Sequence, residues 1–339
     1  MIAHMGLVRL TLVSVCACIA LVSAGCGELQ LTMEDVACIP GEKSIFVGQL
    51  ERDSPFGIPD ALEGESISFW VGSELIGVAK TDDEGRARLA ADLGTRSVRD
   101  EVIARAWVGL QRVQVVRPIQ SWDANTVIIA VDVDHTIAET DYEGVLLDDV
   151  DTKTTTIPGS VEALNALSRK FHVMYVTARP NFLYDETRRW LKMHGFPQAP
   201  LVMGSSTSDL VDQAELKKDL LGWRREHLPN LLIGIGDKAS DAEAYDAVGM
   251  LSILLAPVEE EPEAANVFVM PDWAAIQAFF DANSETLTMP VKLAELLKRD
   301  AITELEIPDQ PEHLRIRIAG QDDDDADDDD RDSDEQDDD

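Results

Sequence analysis

Basic residues are scarce in this sequence. The 29 Lys and Arg stand against 64 Asp and Glu, and the formal net charge is −35. Part of this excess lies in residues 321–339, which hold thirteen Asp, one Glu and one Arg. Because contacts to nucleic-acid phosphates require clustered Lys and Arg, we expect no nucleic-acid partner. The acidic run itself predicts a disordered, self-repelling tail.

Cysteines and long hydrophobic runs are also rare. The four cysteines are Cys16, Cys18, Cys26 and Cys38. The first two fall in an apolar run, Leu10–Val22, which follows Arg9 near the N-terminus. Because a spanning helix needs about 20 apolar residues, this run is too short to cross a membrane. A basic residue followed by a short apolar run is instead typical of a targeting signal that is cleaved off.

The residues after this run favour a lipid anchor. Ser23-Ala24-Gly25-Cys26 resembles the end of a bacterial lipoprotein signal, with Ser23 where Leu is usual. The resemblance implies that residues 1–26 form a lipoprotein-type signal peptide whose Cys26 carries lipid. The protein would then be anchored in the bacterial cell envelope, facing the periplasm or the cell surface, with ordinary secretion as the alternative. If cleavage lies elsewhere, Cys26 and Cys38 could pair in an oxidising compartment.

The rest of the chain divides into regions of different pattern. A length of 339 residues and a hydrophobic content of 45% predict about two globular domains. Residues 27–120 alternate polar and apolar positions between turn signals, which predicts an all-β, immunoglobulin-like sandwich. In residues 124–302, strand and helix patterns alternate, which predicts an α/β domain with a parallel sheet. A C-terminal extension, 303–320, precedes the acidic tail.

One stretch of the α/β region combines a buried strand with two carboxylates. Val127–Val131 is an apolar run rich in β-branched residues, and Asp132 and Asp134 follow it directly. Side chains two positions apart on an extended chain face the same way, and ligands bind at the carboxyl ends of parallel strands. Two neighbouring carboxylates favour a cation between them, and Mg²⁺ suits that need. An acidic strand end that caps the next helix is the alternative.

Three further segments carry polar residues at comparable places. Thr177 follows a predicted strand, 171–176, and Asp237 follows another, with Asp241 four residues later. Lys217 and Lys218 lie on a predicted helix, 209–226. Alone, Thr177 or Asp237 could cap a helix, and the lysines could be solvated. In this order along an α/β sheet, the four segments together predict one active site.

These segments resemble the motifs of a known enzyme family. Asp132-Val133-Asp134-His135-Thr136 is similar to Asp-Ile-Asp-Gly-Thr, and Thr177-Ala178-Arg179-Pro180 is similar to Ser-Ala-Arg-Pro. Residues 234–245 are similar to Gly-Phe-Gly-Asn-Arg-x-x-Asp-x-x-Ala-Tyr. Such patterns are typical of the lipin-type (LNS2) phosphatidate phosphatases of the haloacid dehalogenase (HAD) superfamily. The resemblance covers roughly 126–256, and it implies a Rossmann-like HAD parallel sheet. His135 replaces Gly, and Asp237 replaces Asn.

The resemblance implies a role for each acidic residue. Asp132 would attack phosphorus and form an aspartyl-phosphate. Asp134 would protonate the leaving oxygen and then activate water. Mg²⁺ would be bound by Asp132, the backbone carbonyl of Asp134 and Asp237, and would offset the charge between nucleophile and phosphate. Asp241 would orient a lysine or a metal-bound water.

The remaining motif residues would hold the substrate. Thr177 and the amide of Ala178 would bind phosphoryl oxygens, with Thr136 and Arg179 as further substrate-binding residues. Lys217 would neutralise the charge that develops on the phosphoryl group. Lys218 is the alternative if the alignment is shifted by one residue.

The segment after the first motif bears on the substrate. Residues 137–157 are too few for a large cap domain, so we expect an open site that suits a bulky or membrane-embedded molecule. Phosphatidate or a related phospholipid is the expected substrate, although the acidic surface would repel an anionic membrane unless an anchor holds the protein there. The alternatives are a phosphatidate-binding module without turnover and a periplasmic phosphatase of soluble phosphomonoesters. Related binding modules lack the catalytic Asp, whereas both aspartates are present here.

Overall fold

A computed structural model of the chain describes most of the two predicted domains. The described residues are 27–54, 59–94, 101–139, 154–204, 213–299 and 302–307. The predicted signal peptide with Cys26, most of the short segment after the first motif and the acidic tail lie outside them. Among the helices that are described, none has the length and apolar character needed to cross a membrane.

In the described residues, the N-terminal region has nine strands in two sheets. The strands are β1 (Leu29–Met33), β2 (Val36–Cys38), β3 (Lys43–Arg52), β4 (Asp60–Ala61), β5 (Ser66–Val71), β6 (Glu74–Lys80), β7 (Arg86–Asp92), β8 (Glu101–Val108) and β9 (Gln111–Ser121). One sheet has the order β1-β3-β4 with β7 also paired to β3, and the other has the order β2-β9-β8-β5-β6. Every pairing is antiparallel except that of β2 with β9.

The two sheets pack face to face around one core. In β8, Val102, Ala104 and Ala106 are buried while the residues between them point outward, as the period of two requires. Phe46 of the first sheet and Phe69 of the second meet with ring centroids 5.7 Å apart. We call this pair of sheets the sandwich. Its immunoglobulin-like topology stays a prediction.

The C-terminal region is an α/β unit on a parallel sheet, as the alternation predicted. Its elements are β10 (Ile128–Val131), β11 (Ala138–Glu139), β12 (Thr155–Thr156), α1 (Ser160–Leu167), β13 (His172–Pro180), a 3₁₀ turn (Asn181–Leu183), α2 (Tyr184–Met193), β14 (Leu201–Gly204), α3 (Gln213–His227), β15 (Leu231–Gly236), α4 (Ala239–Ala247), β16 (Leu251–Leu255), β17 (Val267–Met270), α5 (Trp273–Ala282), α6 (Ser284–Leu287) and α7 (Pro290–Leu296). Six strands form one sheet in the order β14-β13-β10-β15-β16-β17, and all five pairings are parallel. Strand β10 is therefore central.

The second strand of the sheet runs further than the sequence predicted. We expected it to end before Thr177, but β13 continues to Pro180 and its pairing with β14 shifts register between these two residues. Strand β10 pairs with β13 only as far as Tyr175, so the end of β13 has a neighbour on one side only. A proline, which lacks the amide donor, is tolerated at such a place. Thr177 therefore lies within a bulged strand end.

The two faces of the parallel sheet are covered differently. On one face, Ile129 and Val131 pack with helices α1, α2 and α5. On the other face, Ile128 and Ala130 pack with α3 and α4, and the same cluster includes Ala37 of strand β2 and residue 122 in the linker between β9 and β10. Trp122 is the large linker side chain in that cluster. The sandwich and the α/β unit therefore share a buried interface beside α3.

Candidate active site

The loop after the central strand turns back sharply. His135 has a positive φ of 59°, and its backbone amide donates to the carbonyl of Ala138 over 2.7 Å. Glycine adopts this left-handed conformation at no steric cost, which accounts for the Gly in the motif that this segment resembles. The turn leaves Asp132, Asp134 and Thr136 buried.

Asp132 and Lys217 form the centre of the site. Lys217 Nζ lies 2.8 Å from Asp132 Oδ1 and also contacts Asp241 Oδ1. Thr136 Oγ1 lies 3.2 Å from Asp132 Oδ2 and 3.2 Å from Asp237 Oδ1. The ends of β10 and β15, the start of α4 and the buried face of α3 therefore meet at one point.

The neighbouring residue Lys218 lies outside this group. It is exposed and pairs with Glu215 one turn earlier on α3, at 3.2 Å. Adjacent helical residues point about 100° apart, so only one of the two lysines can face the aspartates. That lysine is Lys217.

Three carboxylates form a group that could hold a metal ion. The side-chain oxygens of Asp132, Asp237 and Asp241 lie within 4.8 Å of one another. Such hard oxygen donors fit Mg²⁺. The predicted ligands were Asp132, the backbone carbonyl of Asp134 and Asp237; the group adds the carboxylate of Asp241, which we expected only to orient a lysine or a metal-bound water. Asp241 Oδ2 accepts from the amides of Asp237 and Lys238 at 3.1 and 3.2 Å, which holds the carboxylate at the start of α4.

Burial and mutual repulsion shift the titration of this group. Burial raises the pKa of Asp132 to about 7; Lys217 opposes the shift, and Asp241, Asp237 and Asp134 add to it. Burial, followed by Asp241, raises the pKa of Asp237 to about 6. Burial alone would lower the pKa of Lys217, but Asp132 and Asp241 hold it well above its usual value. The lysine is therefore charged, and the carboxylates favour a further cation.

Two glycines of the third motif make room for this arrangement. A Cβ on Gly236 would clash with the Asp241 carboxylate, and a Cβ on Gly234 would clash with the ring of Tyr245. The Tyr245 hydroxyl donates to the carbonyl of Ile235 over 3.1 Å. The Gly-x-Gly pattern is thus required by close packing of α4 on β15.

Asp134 is bound by the second motif. Its carboxylate accepts from Arg179 Nε at 3.0 Å and Nη2 at 2.6 Å, and from Thr177 Oγ1 at 3.3 Å. Arg179 Nη1 also donates to Thr187 Oγ1 over 3.2 Å. We expected Arg179 to bind substrate, but its buried guanidinium lies on Asp134, because a planar fork matches a carboxylate bidentately. The sequence contained no signal for this pair.

Sequence reasoning also missed a contact from the C-terminal helices. Trp273, the first residue of α5, is buried and donates its indole N–H to the carbonyl of Thr136 over 2.8 Å. It thereby fixes the backbone of the turn after β10 at Thr136. The 137 positions between the two residues leave no local pattern that predicts the contact.

A cleft of about 800 Å³ opens beside Asp237. Its polar lining comprises His135, Glu139, Asp237, Lys238, Ser240, Glu259, Glu260 and Asp272, and its apolar lining includes Ile157, Pro158, Leu255, Ala256, Pro257 and Pro271. This volume accommodates an organic molecule of moderate size. Asp132 does not line the cleft, but Thr136 contacts both Asp132 and the lining residue Asp237.

Comparison with known proteins bears on the α/β region. Residues 129–253 match the family model described as PITM 1-3, LNS2 domain. The match supports a lipin-like LNS2 domain. It spans the aspartates of the first motif, Thr177–Pro180, Lys217 and the whole third motif. No curated protein matches the chain significantly.

Solved structures add no argument about the fold. The human B7-H4 IgV-like domain is 11% identical, with coverage of 27% of this chain and 96% of that chain and a TM-score of 0.20. A carbohydrate acetylesterase from Xanthomonas citri is 9% identical, with coverage of 65% of each chain and a TM-score of 0.25. Both scores are too low to indicate a shared fold.

Proposed function

We propose that this protein is a Mg²⁺-dependent phosphomonoester hydrolase of the HAD type that acts on phosphatidate or a related phospholipid. The observation that carries the proposal is the buried group around Asp132, in which one carboxylate contacts a charged lysine and lies beside two further carboxylates. The match of residues 129–253 to an LNS2 domain supports the same reading. The HAD fold and the phospholipid substrate are part of the proposal.

In the first step, an oxygen of Asp132 attacks phosphorus, the bond to the leaving oxygen breaks, and an aspartyl-phosphate forms. Lys217 and Thr136 orient the Asp132 carboxylate, because each contacts one of its oxygens. Mg²⁺ would be held by Asp132, Asp237 and Asp241, and it would supply positive charge that offsets the repulsion between the nucleophile and the phosphoryl group. Thr177 and the amide of Ala178 bind phosphoryl oxygens in this scheme.

Asp134 moves the protons. It protonates the leaving oxygen in the first step and takes a proton from water in the second, when the acyl phosphate is hydrolysed. The contact with Arg179 stabilises the anionic carboxylate, which suits the second role. We assign the bidentate contact to the enzyme without substrate, and protonation of Asp134 in the substrate complex then requires that the contact loosen.

Binding of phosphatidate without turnover is the second candidate. Two observations favour it. The matching family model is of the PITM 1-3 type, and Asp134, the proposed proton donor, forms an ion pair with Arg179. The presence of both Asp132 and Asp134 favours turnover. A phosphatase of soluble phosphomonoesters is the third candidate, and the acidic rim of the cleft supports it, because this rim would repel an anionic bilayer.

Phosphate release distinguishes these functions. The full chain is incubated with Mg²⁺ and either phosphatidate in mixed micelles or a panel of sugar phosphates, with Asp132→Asn as the control. We expect release from phosphatidate that requires Mg²⁺ and is absent in the control. Release from sugar phosphates alone would move the substrate to the soluble class. Saturable retention of phosphatidate without any release would establish the binding module instead.

We further propose that Cys26 carries the lipid anchor in a bacterial envelope. The carbonyl of Gly27, the next residue, accepts from Arg52 Nη1 over 3.0 Å, and the same nitrogen donates to Gln111 Oε1 over 2.8 Å. Leu110, beside Gln111 in the turn between β8 and β9, is fully exposed. An anchor at Cys26 would therefore bring this turn to the membrane surface, where an exposed apolar side chain is favourable.

A further inference from the structure

Helix α3 is held by two buried ion pairs on one face. Lys217 contacts Asp132 and Asp241, and Arg224 contacts Glu34 of the sandwich. The two basic residues are seven positions apart, which is close to two full turns and about 10.5 Å along the axis. They therefore project from the same side of the helix. The rotation and the axial position of α3 depend on both contacts.

Glu34 connects three elements. It lies between β1 and β2 and is 2% exposed. One carboxylate oxygen contacts Arg224 Nη2, and the other lies 3.5 Å from Arg86 Nη2 of β7. Arg86 Nη2 also donates to the carbonyl of Met203 in β14 over 3.1 Å. A single carboxylate of the sandwich thus ties α3 to the end of the neighbouring strand.

A second contact reaches the Thr177 segment. Asn181 follows Pro180 directly, and its Nδ2 donates to Gln49 Oε1 over 2.8 Å. Gln49 Nε2 in turn donates to Glu51 Oε1 at 2.9 Å and to the carbonyl of Glu84 at 3.2 Å. Asn181, Gln49 and Glu51 are all buried. The position of the Thr177 segment is therefore coupled to the interior of the sandwich.

The Glu34–Arg224 and Gln49–Asn181 contacts both hold elements that carry phosphate-binding groups. Lys217 and the Thr177–Ala178 segment are the groups assigned to the phosphoryl oxygens. The acidic group, in contrast, follows β10 and β15, which pair with each other at the centre of the sheet. Loss of a sandwich contact should displace Lys217 and the Thr177 segment, while the carboxylates stay at the ends of their strands. Because Lys217 is a cation in contact with Asp132 and Asp241, its displacement should not weaken Mg²⁺ binding.

We propose that Glu34 and Gln49 are positioning residues of the active site, through which the sandwich holds Lys217 and the Thr177 segment in register for the phosphoryl group. This inference rests on the proposed function, which assigns Lys217 and the Thr177 segment to the phosphoryl group. It makes the sandwich part of the catalytic unit, and it assigns the two side chains to phosphate binding and not to metal binding.

The test uses the full chain with Glu34→Gln and Gln49→Leu. Asp35→Asn is the matched control, because Asp35 is the adjacent buried carboxylate at the same interface. It accepts from Tyr184 and from the amide of Leu201 and pairs with Arg188, and α3 is not among these partners. Circular dichroism and the melting temperature report folding for all three variants. Gln49→Leu removes no charge, so it remains informative if Glu34→Gln unfolds.

The first readout compares the affinity for inorganic phosphate with the affinity for Mg²⁺. Calorimetry measures the former in saturating Mg²⁺ and the latter with Mg²⁺ alone. We expect phosphate affinity to fall about tenfold or more in Glu34→Gln and Gln49→Leu, because displacement of such groups by about 1 Å can cost 10²-fold in activity. Mg²⁺ affinity should be unchanged or higher in both variants, because a competing cation has moved away from the carboxylates, and Asp35→Asn should change neither affinity. Equal loss of both affinities, or the same loss in Asp35→Asn, would overturn the proposal.

The second readout does not depend on activity. Lys217 is 3% exposed, so it should resist an amine-reactive reagent in the folded chain. Mass spectrometry should show faster modification of Lys217 in Glu34→Gln than in wild type or Asp35→Asn. Unchanged protection of Lys217 would contradict the positioning role. A wild-type chain that protects Lys217 but releases no phosphate would instead contradict the proposed function.

Discussion

Replacement of Lys217 by Met tests the centre of the site. Lys217 is buried with its ammonium against Asp132 and Asp241, and Met retains the length of the side chain without its charge. Two unit charges 2.8 Å apart attract by about 6 kcal/mol at an effective dielectric constant of about 20. Desolvation offsets much of this attraction, and breaking a buried pair costs about 3–5 kcal/mol of folding free energy. We expect Lys217→Met to lose stability within that range.

The loss should depend on pH in a defined direction. Burial raises the pKa of Asp132 to about 7, and Lys217 is the group that opposes the shift, so its removal raises this pKa further. A carboxyl whose folded pKa exceeds the unfolded value destabilises the protein increasingly as pH rises through that interval. Below about pH 7 the two proteins lose stability at the same rate, so the difference in unfolding free energy between wild type and Lys217→Met should stay constant there and grow between pH 7 and pH 8. Urea denaturation at both pH values measures it.

Catalysis and metal binding should respond in opposite directions. Loss of a charge-stabilising group from a phosphoryl site costs roughly 10²-fold or more in kcat. Mg²⁺ should bind at least as tightly as to wild type, because a competing cation has been removed from beside the carboxylates. Lys218→Met is the matched control, and its exposed pair with Glu215 should change stability by less than about 0.5 kcal/mol. Wild-type kcat in Lys217→Met, or a large loss in Lys218→Met, would refute the reasoning.

Three further predictions concern the turn, the interface and the anchor. His135→Gly should raise the unfolding free energy by about 1 kcal/mol, because Gly adopts the positive φ without steric cost. Asn266→Gly, at φ 55°, should raise it less, because Asn tolerates this conformation better than His; an equal rise would contradict the prediction. Burial raises the pKa of Glu51 to about 7, so ionisation of Glu51 destabilises the fold as pH rises. Glu51→Gln should therefore raise the melting temperature more at pH 8 than at pH 5, and the opposite order would contradict the raised pKa of Glu51. Wild-type chain expressed in a bacterium should incorporate a fatty-acid analogue and Cys26→Ser should not, whereas an unlabelled, soluble wild-type product would exclude the anchor.

Local sequence patterns predicted the elements that carry the site. The apolar run Val127–Val131 predicted a buried strand, and β10 occupies the centre of the parallel sheet. The alternation of polar and apolar positions in residues 27–120 predicted strands, and β8 shows that alternation in its burial. Strands alternate their side chains with a period of two, and helices bury one face. Both constraints produce a periodic pattern of apolar residues that is visible in a short stretch of sequence. The boundary at Thr177 was predicted less well, because a register shift within a sheet depends on the partner strand.

The sequence by itself thus determined which residues lie at the ends of the central strands, and the tertiary structure decided how their side chains pair. Arg179 lies on Asp134 and not on an open phosphate site, and the Asp241 carboxylate joins those of Asp132 and Asp237. Glu34 meets Arg224 across 190 positions of chain. Such pairs leave no periodic signal, because a contact between distant residues depends on how the strands, helices and sheets pack together and not on the residues beside each partner.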